Sequence, residues 1–391
     1  MQADVCVVGA GIVGLAHAFA ARARGLTVAV LERDDVAVGA SVRNFGHVFV
    51  SAMADGPALD HARSARERWL ELSARAGLDL AGRGTVVVAR HEDELAVLEA
   101  VAGDPRRGAQ TVTAAEIAEL APIPTEGVLG GLHGALDVRV DPRRAVAALA
   151  ALLAGDGGAT VRFGVHVHAI EPGSVRCAGT TVRAPLVIVC PGPHYDWLAP
   201  ELVPPRDGLT RCKLQMLRVA APDGRRYVPA LLTGLSLLRY PAFTAQPGFS
   251  AVRDRLAAQF SRHLAAGVHL IVTQLPDGDL LLGDTHEYGD AVSPFSSEVL
   301  DELLLADARR LLGVCELTVR ERWQGVYPWA PGDPFAVWRP APGVAVVEIT
   351  AGIGMTTALG FAPRVLDELT ARCAPPAAPL PSGPPHAGYG S

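Results

Sequence analysis

Short valine-rich runs at both ends of the chain predict one parallel sheet. Asp4 to Val8 and Thr27 to Leu31 flank an alanine-rich helical stretch from Ile12 to Arg24, which is the pattern of a βαβ unit. The fully apolar run Pro185 to Cys190 predicts a buried parallel strand, and Val344 to Ile349 is a further strand of this type. We expect both to join the N-terminal sheet.

The middle of the chain has a different pattern. Segments between 209 and 329 alternate apolar and polar residues, which predicts strands at Cys212 to Val219, His269 to Leu275 and Leu280 to Asp284. The last two strands flank an Asp277-Gly278 turn. These segments predict a separate antiparallel sheet.

Two helix starts carry capping signals. Thr113 followed by Glu116 is a capping box. Asp141 is suited to be an N-cap residue and Pro142 to occupy the first helical position, which predicts a helix over Arg143 to Ala154.

Composition and charge narrow the class of protein. The 391 residues suggest at least two folding units, and 49% apolar with 19% charged residues is typical of a compact globular enzyme. A net charge of −6 disfavours a nucleic-acid partner. Six cysteines without a CxxC pair, no signal-peptide pattern and no apolar run long enough for a membrane span predict a cytoplasmic protein with reduced thiols.

A glycine motif lies between the first strand and the first helix. Gly9, Gly11 and Gly14 permit a tight turn that lets backbone N–H groups and the helix N-terminus approach a pyrophosphate. Glu32 ends the second strand, where a carboxylate accepts hydrogen bonds from an adenosine ribose. Strand, turn, helix, strand and acid occur in the order that predicts a Rossmann-like dinucleotide site.

Two further segments distinguish between dinucleotides. Gly39 to Gly46 follows the acidic residue, and Gly352 to Thr357 precedes the last helix. With these motifs the chain resembles the D-amino-acid oxidase superfamily, which includes glycine oxidase and sarcosine oxidase. The resemblance implies noncovalent FAD, since Arg43 stands where some relatives have a flavin-linked histidine. The cofactor-binding residues it implies are Gly9, Gly11, Ile12, Val13, Gly14, Glu32, Arg33, Ser41, Arg43, Asn44, Gly46, His47, Val167, Gly192, Gly352, Gly354, Met355 and Thr356.

The resemblance covers about residues 4 to 370 and sets the expected architecture. We predict an α/β fold, α+β overall, with a Rossmann-like FAD-binding domain and an inserted antiparallel-sheet substrate domain. The discontinuous FAD-binding domain is predicted at 1–80, 140–205 and 335–372. The substrate-binding domain is predicted at 81–139 and 206–334, and residues 373–391 are predicted to form a disordered tail.

Within the superfamily, the strings 41–48, 211–216, 283–289 and 323–328 look closest to FAD-dependent oxidoreductases associated with aminophosphonate breakdown. This resemblance implies oxidation of a C–N bond in a small amine by hydride transfer to flavin N5. The resulting imine hydrolyses to an aldehyde or ketone plus an amine. Oxygen or another electron acceptor would reoxidise the flavin.

The chain departs from amino-acid-oxidising relatives at two positions. Tyr327 and Met355 stand where those relatives have arginines that clamp a carboxylate. We therefore expect an amine whose anionic group, such as a phosphonate, is held by Arg43, Lys213 or Arg239. The remaining predicted substrate-binding residues are Tyr240, Tyr288 and Met355, and the predicted catalytic residues are His286 and Tyr327.

Each of these residues also has a structural explanation. Arg43 is equally suited to binding FAD, Lys213 to a solvated strand face, and Arg239 to capping a loop. His166 and His168 share a strand face but have no evident third ligand, so we predict no metal site. A glycine, sarcosine or D-amino-acid oxidase, a nicotinamide-dependent dehydrogenase and a noncatalytic flavin-binding assembly protein remain alternatives.

Overall fold

The computed structural model describes residues 1–80, 82–198, 202–203 and 208–373. Among these residues the strands are β1 Val5–Val8, β2 Val28–Leu31, β3 His47–Val48, β4 Gly82–Ala89, β5 Ala109–Val112, β6 Gly130–Arg139, β7 Ala159–Arg162, β8 Val167–Glu171, β9 Ser174–Cys177, β10 Thr180–Arg183, β11 Leu186–Val189, β12 Thr210–Val219, β13 Ala230–Leu232, β14 Ile271–Gln274, β15 Leu280–Gly283, β16 Glu287–Gly289, β17 Val319–Trp329, β18 Phe335–Ala341 and β19 Val344–Ile349. The α-helices are α1 Ile12–Arg22, α2 Pro57–Ala76, α3 Glu92–Ala102, α4 Ala114–Leu120, α5 Pro142–Ala154, α6 Tyr195–Leu198, α7 Pro241–Thr244, α8 Phe249–Gln259, α9 Ser261–Ala265, α10 Glu298–Leu312 and α11 Gly354–Cys373.

The first sheet has six strands in the order β18-β19-β11-β1-β2-β7. All its pairs are parallel except β18 with β19. The strands β1, β2 and β11 are buried on both faces, which explains their continuous apolar sequences. The predicted return of β19 to the N-terminal sheet is confirmed, because β19 pairs with β11.

Helices cover one face of the first sheet. The alanine-rich α1 packs against α11, and α11 also packs along α2. The indole N–H of Trp69 in α2 donates to the carbonyl oxygen of Met355 at 2.8 Å, which ties α2 to the start of α11. The opposite face meets the antiparallel sheet β10-β9-β8, where Val175 and Val182 are fully buried.

The second sheet has ten strands. Its path is β16-β12-β15-β14-β13-β4-β6-β3, with β17 paired to β12 and β5 paired to β6. It is mixed rather than wholly antiparallel, because β13 and β4 come from separate parts of the chain and run in the same direction. The predicted boundary at residue 80 also differs from the sheet division, since β3 belongs to this second sheet.

The predicted capping signals and the hairpin are present in the structure. Thr113 and Glu116 form a complete capping box, and the Asp141 side chain accepts a hydrogen bond from the Arg143 N–H group. The hairpin β14–β15 turns at Asp277-Gly278. The helix α11 ends at Cys373, so the first residue of the predicted disordered tail at 373–391 is helical, and residues 374–391 lie outside the described residues. Among the described helices, none combines the length and apolar character that a membrane crossing requires.

Candidate active site

A cavity of about 630 Å³ is lined by residues from both large sheets. Gly9, Gly11 and Glu32 belong to the part that we call the glycine-turn wall. Arg239, Asp284 and His286 belong to the part that we call the Arg239 wall; further residues of this wall are His269, Tyr240 and Tyr327. One continuous cavity therefore joins the predicted dinucleotide motif to ionisable side chains of the second sheet.

The glycine-turn wall is a close-packed backbone turn. A Cβ atom on Gly14 would overlap the carbonyl oxygen of Gly9, so the helix α1 can approach the turn only with glycine at this position. The Ile12 N–H group donates to Ser41 Oγ at 2.9 Å. The Ala10 N–H group donates to Glu32 Oε2 at 2.8 Å, so Glu32 also holds the turn in place.

Most of the predicted cofactor-binding residues line this cavity. Those that do are Gly9, Gly11, Ile12, Val13, Gly14, Glu32, Arg33, Ser41, Arg43, Asn44, His47, Val167, Gly192, Gly352, Gly354, Met355 and Thr356. Gly46 is not among the lining residues, because it packs on the backbone of Val140, whose N–H group donates to the Gly46 carbonyl at 3.0 Å. A glycine turn at a helix N-terminus, with a carboxylate at the end of the second strand, fits the pyrophosphate and ribose of FAD.

Glu348 also lines the cavity, and sequence reasoning assigned it no role. It lies in β19 and is 2% exposed. Burial raises the pKa of its carboxyl group well above the ordinary value, and a hydrogen bond from the Gly192 N–H group opposes this only in part. Glu348 therefore keeps its proton to a higher pH than an exposed glutamate does.

Arg239 provides a fixed positive charge on the other wall. Its Nη1 donates to Tyr288 Oη at 2.5 Å and its Nη2 donates to Tyr327 Oη at 3.2 Å. Burial lowers the pKa of Arg239, but interactions with Tyr327, Tyr288 and Asp284 outweigh burial and raise the pKa above its ordinary value. Tyr288 is not among the lining residues, but it contacts two residues that are, because it accepts from Arg239 and its ring stacks on His286 with the ring centroids 6.2 Å apart.

Three further ionisable groups cluster on the Arg239 wall. Asp284 Oδ1 lies 2.8 Å from His269 Nε2, and Asp284 Oδ2 lies 3.8 Å from His286 Nε2. Burial raises the pKa of Asp284, but the neighbouring His269, His286 and Arg239 outweigh burial and lower the pKa to about 2. Burial lowers the pKa of His286 to about 3.

Sequence reasoning proposed His286 but missed Asp284 and His269. The signal that could have found them is the predicted hairpin turn at Asp277-Gly278, since pairing outward from this turn brings residues 269 and 284 together. In the structure their backbones exchange two hydrogen bonds, from the Asp284 N–H group at 2.9 Å and from the His269 N–H group at 3.2 Å.

The structure does not bring Lys213 to the cavity. Lys213 is 2% exposed, forms an ion pair with Glu287, and donates to the carbonyl oxygens of Ser293 and Phe295 at 3.0 and 3.2 Å. Its predicted contact with substrate is therefore corrected, because these three partners occupy its ammonium group. It is not a solvated residue on a strand face either.

Other residues singled out in the sequence also line this cavity. Arg43 lines the cavity, and its Nη1 donates to the Gln324 carbonyl at 3.1 Å. His47 lines the cavity with its Nε2 2.8 Å from Thr85 Oγ1. His166 and His168 also line it, and both are exposed.

A Rossmann-like sheet with a glycine turn, opening into a cavity with ionisable groups, defines a dinucleotide-dependent oxidoreductase. The family model for FAD dependent oxidoreductases, designated DAO, matches residues 4–367, and the chain belongs to this family. Its cofactor is FAD. Oxidoreductases of this family act on C–N bonds of amines and amino acids.

Solved structures similar to this chain share its fold at low sequence identity. Glycine oxidase from Geobacillus kaustophilus is 20% identical with a TM-score of 0.73, and the match covers 95% of each chain. L-proline dehydrogenase from P. horikoshii is 16% identical with a TM-score of 0.77, covering 95% of this chain and 94% of that one. Iminodiacetate oxidase from Chelativorans sp. BNC1 is 20% identical with a TM-score of 0.71, covering 94% and 95%. No curated protein matches the sequence.

Proposed function

We propose that this protein oxidises a C–N bond in a small amine that bears an anionic group, and that the anion is a phosphonate. The observation that carries the proposal is the position of Arg239 in the same cavity as the glycine turn. FAD, when bound, supplies the hydride acceptor for the C–H bond next to nitrogen. The chain's own residues bind and orient the amine.

Arg239 is suited to hold the anion. The hydroxyl groups of Tyr288 and Tyr327 accept two of the five N–H groups that a guanidinium carries, which leaves donors for a ligand oxygen. The two tyrosines also restrict the guanidinium, so less rotational freedom is lost when the anion binds. Arg43 is a second cation among the lining residues.

The absence of two family arginines supports a phosphonate over an α-carboxylate. Tyr327 and Met355 occupy the positions where amino-acid-oxidising relatives carry them, and both line the cavity. A tetrahedral, doubly charged phosphonate can accept donors from several directions, whereas a planar carboxylate suits one bidentate arginine. Two neighbours in fold, named for glycine and iminodiacetate oxidation, support the broader class of small anionic amines.

His286 is suited to accept a hydrogen bond from the amino group, which must be neutral before the neighbouring C–H bond can donate hydride. Because burial lowers the pKa of His286 to about 3, its imidazole is neutral at neutral pH. Burial also keeps Tyr327 protonated, since it raises the pKa of that phenol well above its ordinary value. Tyr327 therefore acts as a hydrogen-bonding group rather than as a base.

Anaerobic stopped-flow reduction of the flavin tests this proposal. The substrates to compare are 2-aminoethylphosphonate, its N-methyl and 1-hydroxy derivatives, glycine, sarcosine and D-alanine. We expect the aminophosphonates to bleach the flavin fastest. Faster bleaching by glycine, sarcosine or D-alanine would indicate that the anionic group of the substrate is a carboxylate rather than a phosphonate. No bleaching by any amine would favour a noncatalytic flavin-binding protein. Peroxide yield under air then separates an oxidase from a dehydrogenase.

A further inference from the structure

Asp284 is a buried carboxylate without a well-directed hydrogen bond. It is 7% exposed and lines the cavity, and no described donor is aligned with its Oδ1. His269 Nε2 lies 2.8 Å from this oxygen, but the contact lacks hydrogen-bond alignment, and Nε2 is likewise without a partner. An ionised carboxylate in such surroundings is costly unless a cation approaches it.

His286 presents a second acceptor beside this carboxylate. Its Nδ1 lies 2.8 Å from the Gly267 carbonyl oxygen, and a carbonyl oxygen only accepts, so Nδ1 carries the proton of the ring. The Nε2 atom of the neutral ring then has a lone pair. That lone pair and Asp284 Oδ2 are 3.8 Å apart, with no hydrogen to share between them.

His269 completes the cluster from the facing strand. Its Nδ1 lies 3.1 Å from Ser236 Oγ, and Ser236 Oγ also lies 3.2 Å from the Leu270 carbonyl oxygen. Because a carboxylate oxygen only accepts, His269 Nε2 carries the proton of its ring where it faces Asp284 Oδ1 at 2.8 Å, and Nδ1 accepts from the Ser236 hydroxyl. His269 therefore holds the carboxylate in place, and each of the three side chains has one polar atom within 4.8 Å of the others.

We propose that Asp284 and His286 form the subsite that binds the amino group of the substrate in its ammonium form, and that His269 holds the carboxylate in position. This inference rests on the proposed function and adds the residues that recognise nitrogen. A primary ammonium has three N–H donors and one positive charge, and the negative Asp284 carboxylate with the His286 Nε2 lone pair beside it accepts two of those donors. Arg239 on the same wall binds the anionic group, so the wall is complementary to a dipolar substrate.

A divalent metal ion is the competing occupant of this cluster, with His269 in the tautomer that frees Nε2 as a ligand. Two imidazoles and a carboxylate are suitable metal ligands. The charge of Arg239 acts on Asp284 closely enough to lower the pKa of the carboxyl group, and it would also oppose a dication there. The observations therefore favour a singly charged ammonium group.

The test compares ligand pairs that differ only by NH3⁺ in place of CH3 and that cannot be oxidised, because the carbon next to nitrogen has no hydrogen. The phosphonate pair is 2-amino-2-methylpropylphosphonate and 2,2-dimethylpropylphosphonate, and the carboxylate pair is 2-aminoisobutyrate and pivalate. Dissociation constants are measured on the FAD-loaded enzyme by calorimetry. The variants are Asp284→Asn and His286→Gln, with Asp279→Asn as the matched control.

Asp279 lies at the other end of β15, pairs with Arg218 and does not line the cavity. We expect wild type and the Asp279 variant to prefer the ammonium member of at least one pair. We expect Asp284→Asn to reduce this preference by roughly 10- to 100-fold and His286→Gln by roughly 3- to 10-fold, with the methyl member bound as before. Because the preference is a ratio within one variant, a partly misfolded preparation does not change it.

Three results would overturn the inference. The first is that the wild-type enzyme shows no preference for the ammonium ligand in either pair. The second is that Asp284→Asn weakens the binding of both members of a pair equally. The third is that the purified wild-type enzyme contains a stoichiometric metal ion that Asp284→Asn lacks. Flavin bleaching remains a separate measurement. If no amine bleaches the flavin but the preference depends on Asp284, the proposed function fails and the ammonium subsite stands.

Discussion

Two buried carboxyl groups line one cavity, and their surroundings drive them to opposite charge states. Glu348 on the parallel sheet accepts a hydrogen bond from the Gly192 N–H group, but burial raises its pKa well above the ordinary value. Asp284 on the second sheet lies beside His269, His286 and Arg239, and its pKa is lowered to about 2 although it is also buried. The charged and polar groups that folding places beside each carboxyl group therefore decide its ionisation.

The two walls also differ in how the chain builds them. The glycine turn lies within one βαβ unit, between β1 and α1, as expected for a surface that approaches a dinucleotide closely. The Arg239 wall consists of side chains from separate strands and loops. The predicted cofactor site thus depends on local backbone shape, and the proposed substrate recognition depends on side chains that only tertiary packing brings together.

The largest expected effect tests the glycine-turn wall. Gly14→Ala places a Cβ atom against the Gly9 carbonyl oxygen and forces α1 away from the turn. We expect FAD affinity to fall by at least about 100-fold, or ~2.7 kcal/mol, in titrations of the apoprotein followed by flavin fluorescence. Gly157→Ala is the control, because no atom lies within 4 Å of its added Cβ. Equal FAD affinity in the two variants would show that the turn does not require close packing.

The next largest effect tests the charge on the Arg239 wall. Arg239→Met removes the guanidinium and keeps an unbranched apolar side chain. We expect kcat/KM for an anionic amine to fall by roughly 100- to 1000-fold, since charged hydrogen bonds to the anion are lost. An uncharged amine should lose less than about threefold. The control is Arg176→Met, whose exposed side chain pairs with Glu171 away from the cavity. Equal losses for both amines would argue against an anion at Arg239.

A smaller effect separates the two tyrosines that hold Arg239. Tyr327→Phe removes a hydroxyl that lines the cavity and accepts from Arg239 at 3.2 Å, while Tyr288→Phe removes an acceptor outside the lining set. If both residues only position the guanidinium, each variant should lower kcat/KM by roughly 5- to 10-fold. A markedly larger loss of kcat/KM in Tyr327→Phe, arising from kcat more than from KM, would indicate that the Tyr327 hydroxyl contacts the substrate directly.

The smallest effect concerns Glu348. Its folded-state pKa is raised, so its stabilising contribution is complete below the ordinary glutamate pKa and is lost as pH rises through the folded-state pKa. Glu348→Gln is neutral at every pH and should lack this loss. The melting temperature of wild-type apoprotein should therefore fall more than that of the variant between pH 5 and pH 9. Parallel pH profiles would contradict the raised pKa.

Much of the fold was predictable because its signals are local. The valine-rich runs predicted β1, β2, β11 and β19, and the Thr113 capping box predicted α4. Two features were not predictable from local patterns. The parallel pairing of β13 with β4 joins strands from separate inserted segments, and the burial of Lys213 depends on a loop that brings Ser293 and Phe295 to its ammonium group.

The sequence by itself was enough to predict a dinucleotide site, because Gly9, Gly11 and Gly14 shape the backbone of one short turn and Glu32 directly follows the next strand. Only the tertiary structure decided which charges share the cavity. Arg239 donates hydrogen bonds to Tyr288 and Tyr327, which lie 49 and 88 residues away in the sequence. Lys213 is also a cation, but it forms an ion pair with Glu287 and does not line the cavity. The ionisation of Asp284 has the same origin, since a carboxyl group keeps its charge under burial only where folding places cations and imidazoles beside it.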